Sequence, residues 1–519
     1  MKYIGVKNMY NNLSRTAMSS RNFTVSVMGR IVGMLTSFAG RAVFVKVLSA
    51  EYLGLGGFFG NILSVVSLCE LGIGAAISQS LYKPLAENDE YAVAAIMTYY
   101  KKISKITAFV TLVLGLAVLP LIPNFTKTDI DSKVIIAAFL LFIIHNTVSY
   151  VLLPKCALVI CDQRMYVITA VRSIFGIVAL ILQSVMLVVT GNYLIYLASR
   201  ILVLTVEDVL INVYAEKNYP CLAYKMSVTK EYKKSLFTNV KALVWHKAGG
   251  VMSRSTDSLL LTYFVGLSGM GKYSNYALVI GTIGAFFDVA INAVSASVGN
   301  LGAGDRGEKS EKIMRKLYFM NFWMLTVGTS VILCTLNPFI QIWLGREMLF
   351  SNIEMAVIVS VFYFSCVRDP VQIFVSTYGL FKESKYIPIL RALSNLVLSV
   401  VFVKQMGIAG VFLGTVLSTV LVPLFGEVKV LYKHGFSMKP SKFYKEMLSY
   451  IGISFLCVSL CFLLTYTVKI SLVGVIVRGI SAFCASNAVL FLFCSENEYF
   501  YGASLVIKRV LSKKNKSKL

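Results

Sequence analysis

Long apolar stretches recur from one end of this 519-residue chain to the other, and they constrain its fold more than any other feature. Two examples are VIIAAFLLFIIHNTVSYVLL (134–153) and VGVIVRGISAFCASNAVLFLFC (473–494). Each is long enough for one helix to cross the hydrocarbon core of a bilayer, which takes about 20 residues. A transmembrane barrel would instead show alternating hydrophobicity over segments of about ten residues. Because 57% of the residues are hydrophobic and only 14% are charged, we predict an all-α integral membrane protein.

The apolar stretches, together with the charge of the connections between them, predict about fourteen transmembrane helices. The N terminus and every second connection hold 34 Lys and Arg residues, whereas the intervening connections hold 7. Basic residues collect in cytoplasmic loops, so both termini are predicted to be cytoplasmic. The predicted spans are 22–48, 53–79, 103–123, 134–154, 166–190, 193–213, 240–265, 274–299, 317–337, 354–378, 386–403, 409–426, 447–466 and 472–494.

This placement of charge accounts for most of the net charge of +25. It predicts attraction to membrane lipid, anionic lipid above all, and it argues against nucleic acid as a partner. The predicted organisation is a cytoplasmic N terminus (1–21), an N-lobe of six helices (22–213), a cytoplasmic linker (214–239), a C-lobe of six helices (240–426), a loop with two extra C-terminal helices (427–494) and a basic cytoplasmic tail (495–519).

Two short similarities indicate an internal repeat. LGLGGF (53–58) resembles SGMGKY (268–273), and AISQSL (76–81) resembles AVSASV (293–298). The offsets are nearly equal, and the two members of each pair are separated by an even number of spans. The lobes are therefore predicted to be parallel repeats about an axis along the membrane normal, with a substrate cavity between them.

Four basic residues lie inside predicted spans in two pairs. Arg30 and Arg41 are eleven residues apart in the first span, and Lys247 and Arg254 are seven apart in the seventh. At about 100° per residue, each pair lies on one face of its helix. Charge inside a membrane is costly, so we predict that these side chains line a wet cavity and bind phosphate, which suits the arginine fork. The alternatives are that Arg30 snorkels to the membrane surface and that Arg254 pairs with Asp257.

Two further arginines are secondary candidates for substrate binding. Arg200 shares the sixth span with Glu207 and Asp208, which are alternatively its ion-pair partners. Arg368 precedes an Asp-Pro pair in the tenth span, where the proline interrupts the backbone hydrogen bonds and predicts a break.

Three acidic residues are predicted to be buried in the membrane: Glu70, Asp257 and Asp288. Such carboxylates serve either in Na⁺ or H⁺ coupling or as counter-ions to the arginines; we predict no other cofactor. His145 is interpreted as a packing residue. The sequence has no phosphate loop, no Gly-x-Ser-x-Gly and no His-Glu-x-x-His motif, and no connection long enough for a catalytic domain. We therefore predict that the protein is not an enzyme.

Two segments resemble a known family. EYLGLGGFFGNILSVVSLCELGIGAAISQSLYKPLAENDE (51–90) resembles the start of the Wzx-type polysaccharide-transporter flippases, and HKAGGVMSRSTDSLLLTYFVGLSGMGKYSNYALV (246–279) resembles the start of their second half. That family belongs to the multidrug/oligosaccharidyl-lipid/polysaccharide superfamily, with the MATE exporters and the MurJ flippases. The resemblance implies a V-shaped fold of twelve helices plus two, and a cationic cavity that corresponds to Arg30, Arg41, Lys247 and Arg254.

The resemblance also implies a function and a set of partners. The expected substrate is an undecaprenyl-pyrophosphate-linked oligosaccharide, moved across a bacterial cytoplasmic membrane for capsule, O-antigen or a related glycan. Glycosyltransferases and a glycan polymerase are the expected partners. The alternatives are a cation-coupled multidrug exporter, a lipid II flippase for peptidoglycan synthesis, and a glycan polymerase or ligase. The surplus of arginine argues against the exporter, and the short external connections argue against the polymerase.

Overall fold

In this computed structural model the described residues are 15–126, 128–224, 226–229, 232–233, 251, 255–302 and 307–500, and their side chains are described except at 15–20, 68–72, 75, 290 and 292–302. Nearly all of these residues are helical, and no strand occurs among them. The all-α prediction is therefore confirmed. The chain divides into two compact units, unit 1 (Met1–Gly271) and unit 2 (Lys272–Leu519).

Unit 1 is built from long helices with short connections. The long helices are α1 (Arg15–Val47), α2 (Ala50–Val66), α3 (Leu68–Glu87), α4 (Glu90–Val118), α5 (Ser132–Cys161), α6 (Met165–Thr190), α7 (Tyr193–Asn218) and the start of α8 (Leu267–Gly302), which continues into unit 2. Shorter helical turns lie at Leu119–Leu121, Ile122–Phe125, Pro220–Ala223 and Leu261–Val265. Helix α1 packs along α6, α7 packs along both α5 and α6, and α4 packs along α5.

The start of α1 is held by the connection between α5 and α6. The Asn22 side-chain amide donates a hydrogen bond to the Gln163 carbonyl oxygen (2.6 Å) and accepts one from the Tyr166 backbone N–H (2.9 Å). The Arg21 guanidinium lies 4.1 Å from the centre of the Tyr166 ring, a favourable cation–π distance. These contacts fix the depth of α1, and therefore of Arg30 and Arg41, relative to α6.

The predicted second span is broken at Ser67 into α2 and α3. The preceding turns are rich in glycine, and the Asn61 and Ser64 side chains donate hydrogen bonds to the carbonyl groups of Gly57 and Gly60. Side-chain bonds of this kind compete with the backbone ladder and bend helices, which explains why a single apolar run becomes two helices.

The boundary between the units lies later in the chain than the predicted end of the N-lobe at 213. The described residues from 255 to 271 pack within unit 1. The Ser255 hydroxyl donates a hydrogen bond to the Asn61 carbonyl oxygen (3.3 Å), and Leu267 lies in the apolar core beside α2. Two glycines, Gly54 and Gly271, allow this close approach of backbones, as small residues do between membrane helices.

We expect Gly54→Ala to destabilise unit 1. A Cβ atom at Gly54 would overlap the Leu267 carbonyl oxygen, which belongs to the backbone and cannot turn away. Overpacking of this kind costs about 1–3 kcal/mol. The matched control is Gly60→Ala in the same helix, where no atom lies within 4 Å of the added Cβ. Yield in the membrane and thermal stability of the purified protein measure the difference, and equal stability of the two variants would contradict the packing described here.

Unit 2 contains the rest of α8 and six further long helical segments among the described residues. They are α9 (Glu308–Leu344), α10 (Asn352–Cys366), α11 (Asp369–Thr377), α12 (Ile387–Thr419), α13 (Ser441–Thr465) and α14 (Leu472–Cys494). Short helical segments lie at Arg346–Met348, Phe381–Ser384, Val420–Leu424, Phe425–Val430 and Leu431–Phe436. The predicted break in the tenth span is confirmed, since α10 and α11 are separated at Val367 and Arg368.

Helix α12 is a hairpin of two helical arms. The chain reverses at Gly407, whose φ of 54° and ψ of −127° are non-helical. The Asn395 side-chain amide donates to the Thr415 hydroxyl (2.9 Å), and the Ser399 hydroxyl donates to the Val411 carbonyl oxygen (2.9 Å). These pairs are roughly symmetric about the reversal, so the arms are antiparallel. The hairpin matches the separate eleventh and twelfth spans that the sequence predicts.

The two C-terminal helices, α13 and α14, pack against α9. Near the start of α9 a buried network joins three helical segments. The Arg315 guanidinium donates to Glu311 (2.5 Å) and to Glu446 of α13 (2.6 Å), and the Tyr432 hydroxyl donates to Glu311 (2.8 Å). This network stabilises the packing of α13 against the rest of unit 2. The sequence analysis had assigned its arginine, Arg315, to a connection between spans.

The fourteen predicted spans fall on helix wherever the chain is described, apart from the breaks already named. Within those residues, nine helical segments are long and apolar enough to cross a membrane, and one of them, Phe381–Phe436, contains both predicted spans of the hairpin. The second, sixth, seventh and eighth predicted spans are not among the nine. The second is divided into α2 and α3, the sixth (α7) carries internal charges, and the seventh and eighth are only partly described. The chain is therefore a multi-pass membrane protein.

Candidate functional site

Two predicted substrate-binding arginines of unit 1 interact electrostatically with each other. The Arg41 residue of α1 is half-buried, and the Arg200 residue of α7 is exposed. The two guanidinium groups interact electrostatically with each other, and both interact with the hydroxyl group of Tyr196. Like charges repel each other, so an anion bound beside both arginines would be stabilised. We call Arg41, Tyr196 and Arg200 the arginine pair site.

Aromatic rings surround the arginine pair site. The rings of Phe44 and Tyr196 meet edge to face with centroids 5.1 Å apart, and Tyr193 and Tyr196 are stacked at 6.4 Å. Tyr52 of α2 lies 4.8 Å from Tyr193. These rings fix the position of Tyr196, and their faces and hydroxyl groups are suited to both apolar and hydrogen-bonding contacts.

The acids of α7 have partners other than Arg200. Glu207 forms an ion pair with Arg172 of α6 (3.4 Å), and Asp208 accepts a hydrogen bond from the Ser149 hydroxyl of α5 (2.9 Å). In the part of the chain that the structure describes, Arg200 forms no ion pair with a carboxylate. Of the two sequence interpretations of Arg200, the ion pair with its own helix is therefore absent.

The other predicted phosphate-binding residues divide into described and undescribed positions. Arg30 is exposed on α1, and the helix is unbroken from Arg15 to Val47, so Arg30 and Arg41 do share a face. Lys247 and Arg254 lie outside the described residues. Their roles therefore stay predictions.

The three predicted acids lie in different surroundings. Glu70 lies on α3, but its side chain is outside the described set. Asp257 is buried in unit 1, with 7% of its surface exposed. Asp288 of α8 is exposed and interacts electrostatically with Asp369 at the start of α11. The sequence interpretation treated Asp369 only as part of a helix break and missed its electrostatic interaction with Asp288.

Arg368 is held in a buried ion pair. Its guanidinium donates to both carboxylate oxygens of Glu427, at 2.7 and 3.1 Å, and the Gln372 side-chain amide donates to the same carboxylate (3.2 Å). Arg368 is only 5% exposed. This bidentate contact occupies one edge of the guanidinium and pairs its charge with a carboxylate, so Arg368 is not part of the arginine pair site. Sequence reasoning missed Glu427 because it ended the twelfth span at 426, whereas helical structure continues to Phe436.

Comparison with known proteins supports the fold. No model of a protein family matches the sequence. No curated protein matches it. Among solved structures, the lipid II flippase MurJ in an inward closed conformation aligns with a TM-score of 0.63 at 12% identity, over 92% of this chain and 99% of that one.

Two further structures extend this comparison. An inward-facing multidrug resistance MATE family transporter of the MOP superfamily aligns with a TM-score of 0.62 at 14% identity, over 77% of this chain and 94% of that one. A MOP superfamily transporter from Pyrococcus furiosus, for which reverse polarity of the binding pocket suggests a different function, aligns at 0.52 and 12% identity, over 80% and 96%. The chain therefore has the fold of the transporters and flippases of the MOP superfamily.

Proposed function

We propose that the protein is a flippase that moves undecaprenyl-pyrophosphate-linked oligosaccharide repeat units from the inner to the outer leaflet of a bacterial cytoplasmic membrane. The feature that carries this proposal is the arginine pair site, in which Arg41 and Arg200 from two membrane helices both interact electrostatically with Tyr196. Two cations held together inside a membrane protein are costly. A diphosphate that sits between them removes their repulsion and gains charge-assisted hydrogen bonds.

The chemistry of such a substrate agrees with this site. Sugars and pyrophosphate do not cross hydrocarbon unaided because their polar groups lose their water. The polyprenyl tail stays in lipid while the head group crosses beside polar side chains. Tyr52 and Tyr196 are partly exposed on either side of the buried Tyr193 ring, so a sugar attached to the diphosphate would meet aromatic surface there.

The membrane potential supplies a driving force without a bound ion. Each negative charge that moves outward from a negative interior gains about 2.3 kcal/mol per 100 mV. A pyrophosphate diester carries about two such charges. Coupling of transport to a bound ion is a separate proposal, which concerns Asp288 of unit 2.

Asp288 is the acid we propose for ion coupling. Its carboxylate interacts electrostatically with that of Asp369 in unit 2, and two interacting carboxylates favour a bound cation or proton. We expect Asp288→Asn to remove any dependence of transport on a Na⁺ or pH gradient in proteoliposomes, while transport driven by a K⁺ diffusion potential changes less than about two-fold. Glu347→Gln, an exposed acid, is the control. Loss of voltage-driven transport in Asp288→Asn alone would contradict a role limited to ion coupling.

The alternative functions make different demands on the site. An exporter of cationic drugs needs acids where unit 1 places two arginines, so the arginine pair site argues against it. A lipid II flippase carries the same diphosphate and polyprenol, and MurJ shares the fold over nearly the whole chain. The arginine pair site fits both lipid-linked substrates, so a cellular experiment must separate them.

The deciding experiment is deletion of the gene followed by a leaflet assay. Under the proposal, lipid-linked oligosaccharide accumulates on the cytosolic leaflet, where an impermeant lectin or oxidant does not reach it, and surface glycan is lost. Glycosyltransferases that build the oligosaccharide and a polymerase that uses it are the partners expected on the two sides. Unchanged sidedness of the oligosaccharide would refute the proposal; a block in lipid II export would point to peptidoglycan synthesis instead.

A further inference from the structure

The two helices that carry the arginine pair site are tied to the same short turn of the chain. This turn joins α5 to α6 and consists of Asp162, Gln163 and Arg164; we call it the α5–α6 turn. The Asn22 side chain, near the start of α1, bonds to Gln163 and to Tyr166 just after the turn. The Tyr219 hydroxyl, at the end of α7, donates a hydrogen bond to Asp162 (2.5 Å).

Asn22 completes the start of α6 from another helix. The first backbone N–H groups of a helix have no partner within it, and a capping side chain usually supplies one. In the described chain, the Arg164 side chain at the N-cap position of α6 makes no capping hydrogen bond. The Asn22 Oδ1 atom accepts the Tyr166 N–H instead (2.9 Å), and its Nδ2 group donates to the Gln163 carbonyl oxygen (2.6 Å). An amide suits both bonds because it is a donor and an acceptor at once.

The α5–α6 turn is itself a fixed reference. The Arg164 N–H donates to the Val159 carbonyl oxygen (3.1 Å). The Gln163 N–H donates to that of Ile160 (3.0 Å), and together these bonds form a Schellman motif. The motif holds Gln163 in the left-handed region, with a φ of 61°. The Arg164 guanidinium also pairs with the Asp162 carboxylate (2.9 Å), so backbone and side-chain bonds both hold the turn.

The two arginines stand equally far from this turn. Arg41 comes 19 residues after Asn22, and Arg200 comes 19 residues before Tyr219. Both helices are continuous over this length, so each arginine lies about 28 Å along its helix from the turn, at 1.5 Å per residue. The chain runs away from the turn in α1 and towards it in α7, and both helices pack along α6. The equal spacing therefore places Arg41 and Arg200 at one level of unit 1.

A ring contact farther along the helices agrees with this spacing. Phe44 of α1 meets Tyr196 of α7 edge to face, with centroids 5.1 Å apart. Arg41 is three residues before Phe44, and Arg200 is four residues after Tyr196. Each arginine therefore lies about one turn closer to the α5–α6 turn than the ring contact does, and within about 60° of it around its helix. The two arginines are brought together by packing, independently of their charges.

The tie of α7 is reinforced, whereas that of α1 depends on Asn22. Three more polar contacts join α7 to α5 at intervals of about one turn: Ser149 with Asp208 (2.9 Å), the Leu152 carbonyl oxygen with Asn212 (3.0 Å) and Lys155 with Glu216 (2.5 Å). Among the described residues, Asn22 makes the hydrogen bonds of α1 to the α5–α6 turn. The depth of α1 should therefore be more sensitive to a single substitution than the depth of α7.

We propose that Asn22 is a positioning residue, which holds α1 at the depth where Arg41 and Arg200 reach one diphosphate. The identity of the ligand rests on the proposed function; the effect of Asn22 on the depth of α1 does not. Hydrogen bonds weaken beyond about 3.2 Å. A slip of α1 by one residue, about 1.5 Å, would therefore leave Arg200 as the arginine that still reaches the anion.

The depth of α1 is tested without any anion. Nitroxide labels at Arg41→Cys and Arg200→Cys in the full-length protein report their separation through dipolar broadening of the EPR spectrum, and the unsubstituted protein gives the background from native cysteines. Adding Asn22→Ala should reduce the broadening at least about two-fold, because the labels no longer share one level. The matched control is Asp89→Ala, which removes a capping hydrogen bond of α4 (2.9 Å) and should leave the broadening unchanged.

Two results of this measurement overturn the proposal. One is the absence of broadening in the doubly labelled protein, and the other is broadening that Asn22→Ala leaves unchanged. The melting temperature checks folding. If Asn22→Ala does not fold, Asn22→Asp decides, since it keeps the acceptor for the Tyr166 N–H and loses the donor to Gln163. Asn22→Asp should reduce the broadening less than Asn22→Ala, and no reduction overturns the proposal.

Inorganic pyrophosphate tests the consequence for the anion. Its affinity should fall about ten-fold in Asn22→Ala and less than about two-fold in Tyr219→Phe, because α7 keeps its contacts with α5. In an Arg41→Ala background, Asn22→Ala should have no further effect, since it acts through Arg41. An equal loss in both backgrounds would mean a general structural role and would overturn the proposal. Pyrophosphate binding that ignores Arg41→Ala would instead refute the arginine pair site, and the label measurement would still decide the role of Asn22.

Discussion

Replacing Arg41 with alanine is expected to reduce export of lipid-linked oligosaccharide about 100-fold, because a charge-assisted, two-pronged contact to phosphate is worth up to about 3 kcal/mol. The protein should still reach the membrane, since Arg41 is half-buried and its removal also relieves repulsion with Arg200. Surface glycan and the leaflet distribution of the oligosaccharide measure the effect. Arg41→Lys should restore only part of the rate, because an ammonium group lacks the planar fork.

A double-mutant cycle distinguishes a shared anion from two independent contributions. If Arg41 and Arg200 hold the same diphosphate, Arg41→Ala/Arg200→Ala will be little worse than either single variant, because neighbouring groups that act on one ligand are not additive. Lys133→Ala, an exposed cation at the start of α5, is the matched control and should export normally. Normal export by both single arginine variants at normal abundance would end the case for this site.

The sequence predicted the membrane helices well because their signal is local. Apolar length and loop charge are properties of short segments, and the helices follow them through most of the chain. Even the hairpin at Gly407 was anticipated, since a lysine-containing connection separates its arms. The break at Ser67 was missed because it arises from side-chain hydrogen bonds to the backbone within an uninterrupted apolar run.

The partners of the charged residues could be predicted less well. Arg200 and its nearest acids in sequence share α7, yet Glu207 pairs with Arg172 from the preceding helix, α6. Arg368 pairs with Glu427, 59 residues away in sequence. Which charges meet depends on the rotation and depth of each helix, and no short segment contains that information. A sequence pattern therefore identifies membrane cations, whereas only tertiary contacts separate those that are paired from those that face a ligand.

The ion pair of Arg368 and Glu427 should matter for stability rather than for substrate binding. We expect Arg368→Ala to lower the melting temperature of the protein by about 4 °C, because removal of one partner leaves a buried charge unpaired at a cost of about 3–5 kcal/mol, and a chain of this length loses about 1 °C per kcal/mol. Glu427 is 8% exposed. Without Arg368, the Gln372 side-chain amide would be the one hydrogen-bond donor to the Glu427 carboxylate among the described residues. The melting temperature is measured on the protein in detergent, by size-exclusion chromatography after heating.

The double variant Arg368→Met/Glu427→Met separates stability from transport. Buried ion pairs are often replaced by apolar side chains of similar volume with little loss of stability, so this variant should recover most of the lost melting temperature. It should also export glycan, because the arginine pair site in unit 1 is untouched. A stable double variant that fails to export would mean that the Arg368 guanidinium contacts substrate during transport, as the sequence alone had suggested, and that the pair seen here opens during the cycle.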